Sequence, residues 1–389
     1  MTALVRTTRS KLFMITLWFS TVLYVYYLYN VELESTAVAA RLKSENKTKI
    51  LIYSEILPYI VRKQLKAGFN SKQCSNCILV EGKVTYDTRV FDAIVFMFNR
   101  VNLNDPIFQR RRGDQIYVWY SPESTSSVRN FHQTSMNNYE DVFNLTMTYR
   151  RDSDVINPYG TLPSIKSSLL EQHDSLSSDA LDKVVTNKKN GIIWVASNCG
   201  VTSGAKMRMK IVEDLKRSQV GWMLDVYGLC GDGKTFTQDR SGFNNMNELI
   251  KSYKFYLAFE NSYHCRDYIT EKFWENSLLN AVVPVVWGPT REDVMTVAPP
   301  HSFIHVEDFK NISDLADYLL YLDRNDTAYR EYFNWWFEPT EDIEEPVALC
   351  KLCLMYESRK RRPSSIRNFK HWYYELEYKD CLSHEINLL

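Results

Sequence analysis

The sequence predicts an α/β chain: two lobes, each a parallel sheet with helices on both faces, facing a cleft and preceded by a single N-terminal transmembrane helix. Three observations predict it. Short apolar runs alternate with mixed, helix-length segments along most of the 389 residues, as in parallel sheets covered by helices. The stretch Phe255 to Pro289 reads as one strand–helix–strand unit with its polar residues at one end. The run Leu12 to Tyr29 carries no charge over 18 residues.

A chain of this length exceeds one ordinary core, so two domains are expected. In the first half, buried strands are expected at Ile50–Tyr53, Ala93–Phe98 and Ile116–Tyr120. Residues 163–190 are rich in Ser, Asp and Lys and lack aromatics; they read as the connection between lobes, with room for a helix. The second half repeats the alternation, with strands expected at Ile192–Ala196, Met223–Tyr227, Phe255–Phe259, Val282–Trp287 and Phe303–Val306. The remainder, Asn311–Leu389, reads as largely helical and aromatic. Each half therefore reads as a Rossmann-like unit.

Composition narrows the function. Hydrophobic residues make up 45% and charged residues 24%, which excludes wholesale disorder. The net charge is zero, which removes any general electrostatic reason to bind nucleic acid. As a helix, Leu12–Tyr29 would be roughly 27 Å long, enough to cross a bilayer. Arg6, Arg9 and Lys11 precede it, and Glu32 and Glu34 follow, so the bulk of the chain is expected on the luminal side. Eight cysteines, Cys74, Cys77, Cys350 and Cys353 among them, suit disulfides in that compartment. The two C-x-x-C motifs could pair internally or with each other, and Cys230 could pair with Cys265. Asn46, Asn144, Asn311 and Asn325 stand in N-x-Ser/Thr acceptor sequences.

The strand–helix–strand unit carries the chemistry. Its first strand ends in Glu260-Asn261-Ser262, and a helix is expected to begin at Thr270-Glu271-Lys272 with Phe273, Trp274, Leu278 and Ala281 on one face. Polar groups past the carboxyl ends of parallel strands are where a nucleotide site is built. Free backbone N–H groups at the helix start and the charge of Lys272 suit a diphosphate. Alone, Lys272 would be a solvated lysine; its neighbours favour the anion. Glu123 falls just past the strand Ile116–Tyr120; by position alone it would be an exposed loop acid. Gly228 to Thr235 fits the P-loop pattern letter for letter, yet the polar run after it has no helical periodicity, so a phosphate role is not expected there. Arg110-Arg111-Arg112 reads as a solvated loop, and Asp152-Ser153-Asp154 alone does not make a metal site.

Several blocks, in order, resemble the α-1,3/4-fucosyltransferases of glycosyltransferase family 10. They are Trp119 to Ser124, Phe143 to Gly160, Trp194 to Cys199, Phe255 to Pro289, Pro299 to Ile304 and Cys350 to Cys353. The variant Cys265-Arg266-Asp267-Tyr268 resembles the invertebrate and plant branches. The resemblance implies a GT-B fold and inverting transfer of L-fucose from GDP-fucose to the 3-hydroxyl of an N-acetylglucosamine in a glycoprotein or glycolipid glycan. It implies a Golgi membrane protein with a single type II anchor. The expected layout is a cytoplasmic tail (1–11), signal-anchor (12–29), stem (30–49), acceptor-side lobe (50–180) and donor lobe with a C-terminal helical segment (190–389).

Carried onto these residues, the resemblance makes Glu123 the general base. Arg208 and Lys272 would neutralise the departing diphosphate, and Tyr268 and Glu271 would line the fucose and nucleotide. Asn198, Glu260 and Asn261 would shape the same pocket. No obligatory cofactor is implied; Mn²⁺ or Mg²⁺ would act only as a stimulator. The rival readings are a GT-B transferase with another nucleotide-sugar donor and an inactive glycan-binding relative. A Lewis-type antenna and the N-glycan core both remain open as acceptors.

Overall fold

The computed structural model describes residues 38–375 and Cys381, apart from 55–68, 70–71, 85–86, 131, 134, 174, 232, 234, 238–239, 340–346 and 359–363. The apolar run 12–29 lies outside these residues. Among the described residues no helix is long and apolar enough to cross a membrane.

Two parallel sheets organise the chain. The first contains β1 (Thr48–Tyr53), β2 (Cys77–Glu81), β3 (Ala93–Met97), β4 (Ile116–Ser121), β5 (Leu145–Thr148) and β6 (Val155–Ile156), in the order β2-β1-β3-β4-β5-β6. The second contains β7 (Lys189–Val195), β8 (Leu224–Tyr227), β9 (Tyr253–Phe259), β10 (Val283–Trp287) and β11 (Ile304–His305), in the order β11-β10-β9-β7-β8. Counted from its own first strand, each sheet follows the doubly wound 2-1-3-4-5 order, and the first adds a sixth strand. Strands β3, β4, β9 and β10 are buried along their whole length, which explains their near-continuous apolar sequence. β5 was not foreseen: Leu-Thr-Met-Thr is short and half polar, and its threonines are satisfied by Asp154 and Ser153.

The residues between the lobes form two helices, Leu162–Gln172 and Ser178–Thr186, capped by Thr161 and Ser177. Their Ile165, Leu169, Leu181 and Val185 join the core of the second sheet, so the connection is part of that lobe. The C-terminal part departs from the expected layout. Ala348, Leu349, Leu352, Phe369 and Tyr373 pack in the core of the first sheet. The helix Ala348–Ser358 is fastened there by Cys74–Cys350 and Cys77–Cys353. The chain therefore crosses back, and 190–389 is not one lobe. The two C-x-x-C motifs pair with each other rather than internally. Cys230 pairs with Cys199, and Cys265 with Cys381, which overturns the Cys230–Cys265 alternative.

Other expectations also change. The helix expected from Thr270 to Ala281 is a single turn, Glu271–Trp274, followed by a 3-10 turn, Leu278–Asn280. Ser277 Oγ donates to Lys272 O at 2.6 Å, Asn276 N to Glu271 O at 2.7 Å, and Ala281 takes the left-handed conformation. The broken helix has little dipole, so any anion there must rely on side-chain charge. Arg111 is not solvated: it donates to Val142 O at 2.8 Å and lies over Tyr117, while Arg112 pairs with Asp92 at 3.0 Å. Of the glycosylation candidates, Asn46 and Asn311 are exposed and Asn325 is half-buried. Asn144 is buried, and its Oδ1 accepts from Tyr117 N at 2.9 Å and from Arg111; the folded chain cannot present it to a transferase.

Candidate active site

A cavity of about 570 Å³ lies where the two lobes meet. Glu123, Pro122 and Tyr159 line it from the first lobe. Opposite them it touches Asn198, Arg208, Asn261, Tyr268, Glu271 and Lys272. Seven of the eight residues singled out from the sequence thus share one space. Glu260 is the exception and sits behind Lys272.

The second-lobe wall is built at the switch point between β7 and β9, where strand order reverses and ligand crevices form. The helix Ser203–Arg217 starts beside it, capped by Thr202, whose hydroxyl also bonds Asn261 O. Gly204 makes that approach possible: a Cβ there would stand 2.7 Å from Asn261 O. One turn further on, Arg208 is 2% exposed. It donates to Phe259 O and Asn198 O, both at 2.7 Å, spanning the ends of the two strands. No carboxylate is bonded to it among the described residues, and it lines the cavity.

Lys272 has a different setting. Its Nζ lies 3.0 Å from Glu260 Oε2 and 2.9 Å from Glu271 Oε1, and donates to Thr270 Oγ1 at 2.8 Å. Burial works against the ammonium, but Glu260 and Glu271 outweigh it and raise its pKa. Burial raises the Glu260 pKa, with Lys272 opposing. Burial also acts against the Glu271 carboxylate, yet Lys272 prevails and the net shift is downward. Glu260 Oε1 accepts from Thr270 N at 2.9 Å and Thr270 Oγ1 at 2.7 Å. Its place is therefore to hold the turn that presents Lys272. Asn198 Oδ1 is committed to its own turn, accepting from Val201 N at 3.0 Å.

Glu123 is half-buried and reaches the cavity from beyond β4. Tyr268, 3% exposed, donates to Glu123 Oε2 across the lobes at 3.4 Å. Burial lifts the Tyr268 phenol well above its ordinary pKa, and Glu123 adds to the shift, so it stays a neutral donor. The lobes also meet through Ser124 and Ser262 hydroxyls at 2.5 Å, Arg151–Asp267 at 2.6 Å and Arg266–Asp152 at 2.7 Å. Asp152 is further held by Arg150, and Asp154 by Thr146. No group of three or more His, Cys, Asp or Glu side chains is placed to hold a metal among the described residues. The P-loop-like stretch runs into coil at Phe236 and Thr237, and the next described helix starts at Arg240, so no helix opens directly from it; its Gly228, Leu229 and Thr235 nevertheless line the cavity.

Sequence reasoning missed much of the rest of the lining, Tyr256, Asn276 and Tyr159 among it. Tyr256 looked like core in an apolar strand; its hydroxyl accepts from Asn276 Nδ2 at 2.9 Å beside the cavity. Tyr159 donates to Pro122 O at 2.6 Å. A phenol within an otherwise apolar strand was the one available signal.

A carboxylate facing a guanidinium and an ammonium across a cleft can take a proton on one side while cations stabilise an anion on the other. Residues 185–372 match the family profile "Glycosyltransferase family 10 (fucosyltransferase) C-term", and residues 45–160 match "Fucosyltransferase, N-terminal". The chain belongs to glycosyltransferase family 10. This fucosyltransferase-family chain is 36% identical over 304 residues to a 4-galactosyl-N-acetylglucosaminide 3-alpha-L-fucosyltransferase of Pan troglodytes, over 74% of this chain and 75% of that protein. It is 31% identical to the glycoprotein 3-alpha-L-fucosyltransferase A of Drosophila melanogaster, over 85% of this chain and 61% of that protein. A crystal structure of an alpha1,3-fucosyltransferase with GDP-fucose superposes with a TM-score of 0.49 at 19% identity, over 80% of this chain and 89% of that one.

Proposed function

We propose that this family 10 member is an α-1,3-fucosyltransferase moving L-fucose from GDP-fucose to the 3-hydroxyl of N-acetylglucosamine, with inversion at the anomeric carbon. The observation that carries the reading is the placement of Glu123 opposite Arg208 and Lys272 around one cavity. Glu123 takes the acceptor hydroxyl proton as that oxygen bonds to the anomeric carbon. The bond from that carbon to the diphosphate oxygen breaks, and GDP leaves with the electron pair. Arg208 and Lys272 stabilise the growing negative charge without reorganising. Glu271, ionised and beside the sugar position, offsets the positive charge that develops on the ring.

The same reading makes the chain a Golgi resident with its lobes in the lumen, held by the run 12–29. The four disulfides support an oxidising compartment. Divalent cations are assigned no site and act only by screening diphosphate.

The test uses the purified luminal portion, GDP-fucose and a panel of defined glycans, with added mass located by fragmentation. The wild-type protein is expected to add fucose to a 3-hydroxyl of N-acetylglucosamine. Glu123→Gln should lower kcat by about 10²–10⁴-fold while GDP-fucose still binds. Full activity in Glu123→Gln would remove the base from the scheme.

A further inference from the structure

The last described part of the chain reaches Glu123 from a direction the sequence does not suggest. Tyr373 lies in a turn, His371–Glu375, on the returning C-terminal segment. It is fully buried, with its ring 4.6 Å from that of Trp119 on β4. Its hydroxyl donates to the backbone carbonyl of Glu123 at 3.0 Å and lies 3.3 Å from Ser121 Oγ. Ser121 Oγ in turn accepts from Glu123 N at 3.2 Å. On the preceding peptide, Tyr159 holds Pro122 O. The backbone of Glu123 is thus fixed on both sides while its carboxylate stays free to reach the cavity.

The same returning segment also holds the opposite wall. Cys381 is bonded to Cys265, in the loop that leads to Tyr268. Its Sγ lies 3.0 Å from Thr125 Oγ1, two residues past Glu123. Cys265, Cys381, Tyr268 and Tyr149 form one small buried cluster between the lobes. One stretch of chain therefore touches the peptide carrying Glu123 and is covalently joined to the loop carrying its partner Tyr268.

We propose that the C-terminal return sets the register of the active site, with Tyr373 and the Cys265–Cys381 bridge as positioning groups for Glu123. This rests on the reading of Glu123 as the base. The expectation is quantitative because misplacing a reacting group by about 1 Å costs on the order of 10²-fold in rate, and support from outside the reacting groups is what prevents it. Tyr373→Phe keeps the ring and its packing on Trp119 and removes only the hydroxyl.

The experiment measures kcat, GDP-fucose KM and melting temperature for Tyr373→Phe and for the Cys265→Ser/Cys381→Ser double variant. Each is made in the wild-type and in the Glu123→Gln background. Tyr373→Phe should lower kcat about tenfold, with KM for GDP-fucose within about twofold and a melting temperature lowered only by the few degrees that one lost buried hydrogen bond accounts for. In the Glu123→Gln background it should have no further effect, because the hydroxyl acts through Glu123. The double serine variant should show the same dependence on Glu123, whatever it does to melting temperature. A Tyr373→Phe protein with wild-type kcat, or one equally impaired in both backgrounds, overturns the proposal. Full activity in Glu123→Gln would instead remove the base assignment on which it rests.

Discussion

Replacing Lys272 by methionine perturbs both the site and the fold, and the structure sets the size of each effect. Lys272 and Arg208 supply two positive charges around the cavity wall, against the carboxylates of Glu260 and Glu271. Lys272→Met leaves one cation against two acids, a local net charge of −1 where a diphosphate is to be held. Loss of one stabilising group aimed at developing charge costs on the order of 10²–10³ in kcat. The fold loses too. Glu260 is 2% exposed and its Oε2 has Lys272 as ion partner at 3.0 Å. Stripping one partner from a buried pair costs about 3–5 kcal/mol while the other stays ionised.

Protonation of Glu260 relieves part of that cost, which makes the loss pH-dependent. Burial already places its folded pKa above the ordinary carboxylate value, and removing Lys272 takes away the chief opposing influence. The folded state then binds a proton that the unfolded state does not. The stability tied to this group is fully present below the ordinary carboxylate range and is lost as pH rises through the folded pKa. Thermal melts of Lys272→Met at about pH 5 and about pH 8 should therefore diverge from wild type more at the higher pH. The kinetic assay is GDP release with saturating acceptor. A variant with kcat within about threefold of wild type, or with its stability deficit greatest at low pH, would refute the charge arrangement.

Gly160→Ala should lower the melting temperature, since a Cβ there would stand 2.5 Å from Cγ of the buried Trp274; such overpacking costs about 1–3 kcal/mol, and an unchanged melt would show that the lobes meet less tightly. Asn144→Gln should leave the glycan mass of a secreted product unchanged but cost about 1–3 kcal/mol, because the Tyr117 N–H loses its acceptor. Asn311→Gln, by contrast, should remove one glycan from a secreted product, read by electrophoretic shift after endoglycosidase treatment.

The general plan of the site was legible in the sequence because parallel sheets leave a strong local trace. Strands buried on both faces are continuous apolar runs, and their carboxyl ends must switch abruptly to polar residues. Phe255–Phe259 followed by Glu260-Asn261 is such a switch, and it marks the donor-side wall. The same trace put Glu123 just past a strand end, but only the family resemblance made it a site residue rather than an exposed loop acid. Short or partly polar elements left no such signal. β5 depends on threonine side chains bonded to residues further along the chain, and the helix after Thr270 stops because Ser277 and Asn276 claim backbone carbonyls.

Local pattern was enough for the two alternating α/β halves, the polar strand end at Glu260-Asn261 with Lys272 beyond it, and a cysteine content suited to an oxidising compartment; Glu123 and Arg208 needed the family resemblance. Packing between distant segments set which cysteines join, that the last described part of the chain returns to the first sheet, and that Glu260 braces Lys272 instead of lining the space. The difference is one of range. Strand periodicity and strand-end polarity are properties of a few consecutive residues, whereas Cys74–Cys350, Tyr373 on Glu123 and Glu260 on Lys272 depend on how separate elements pack.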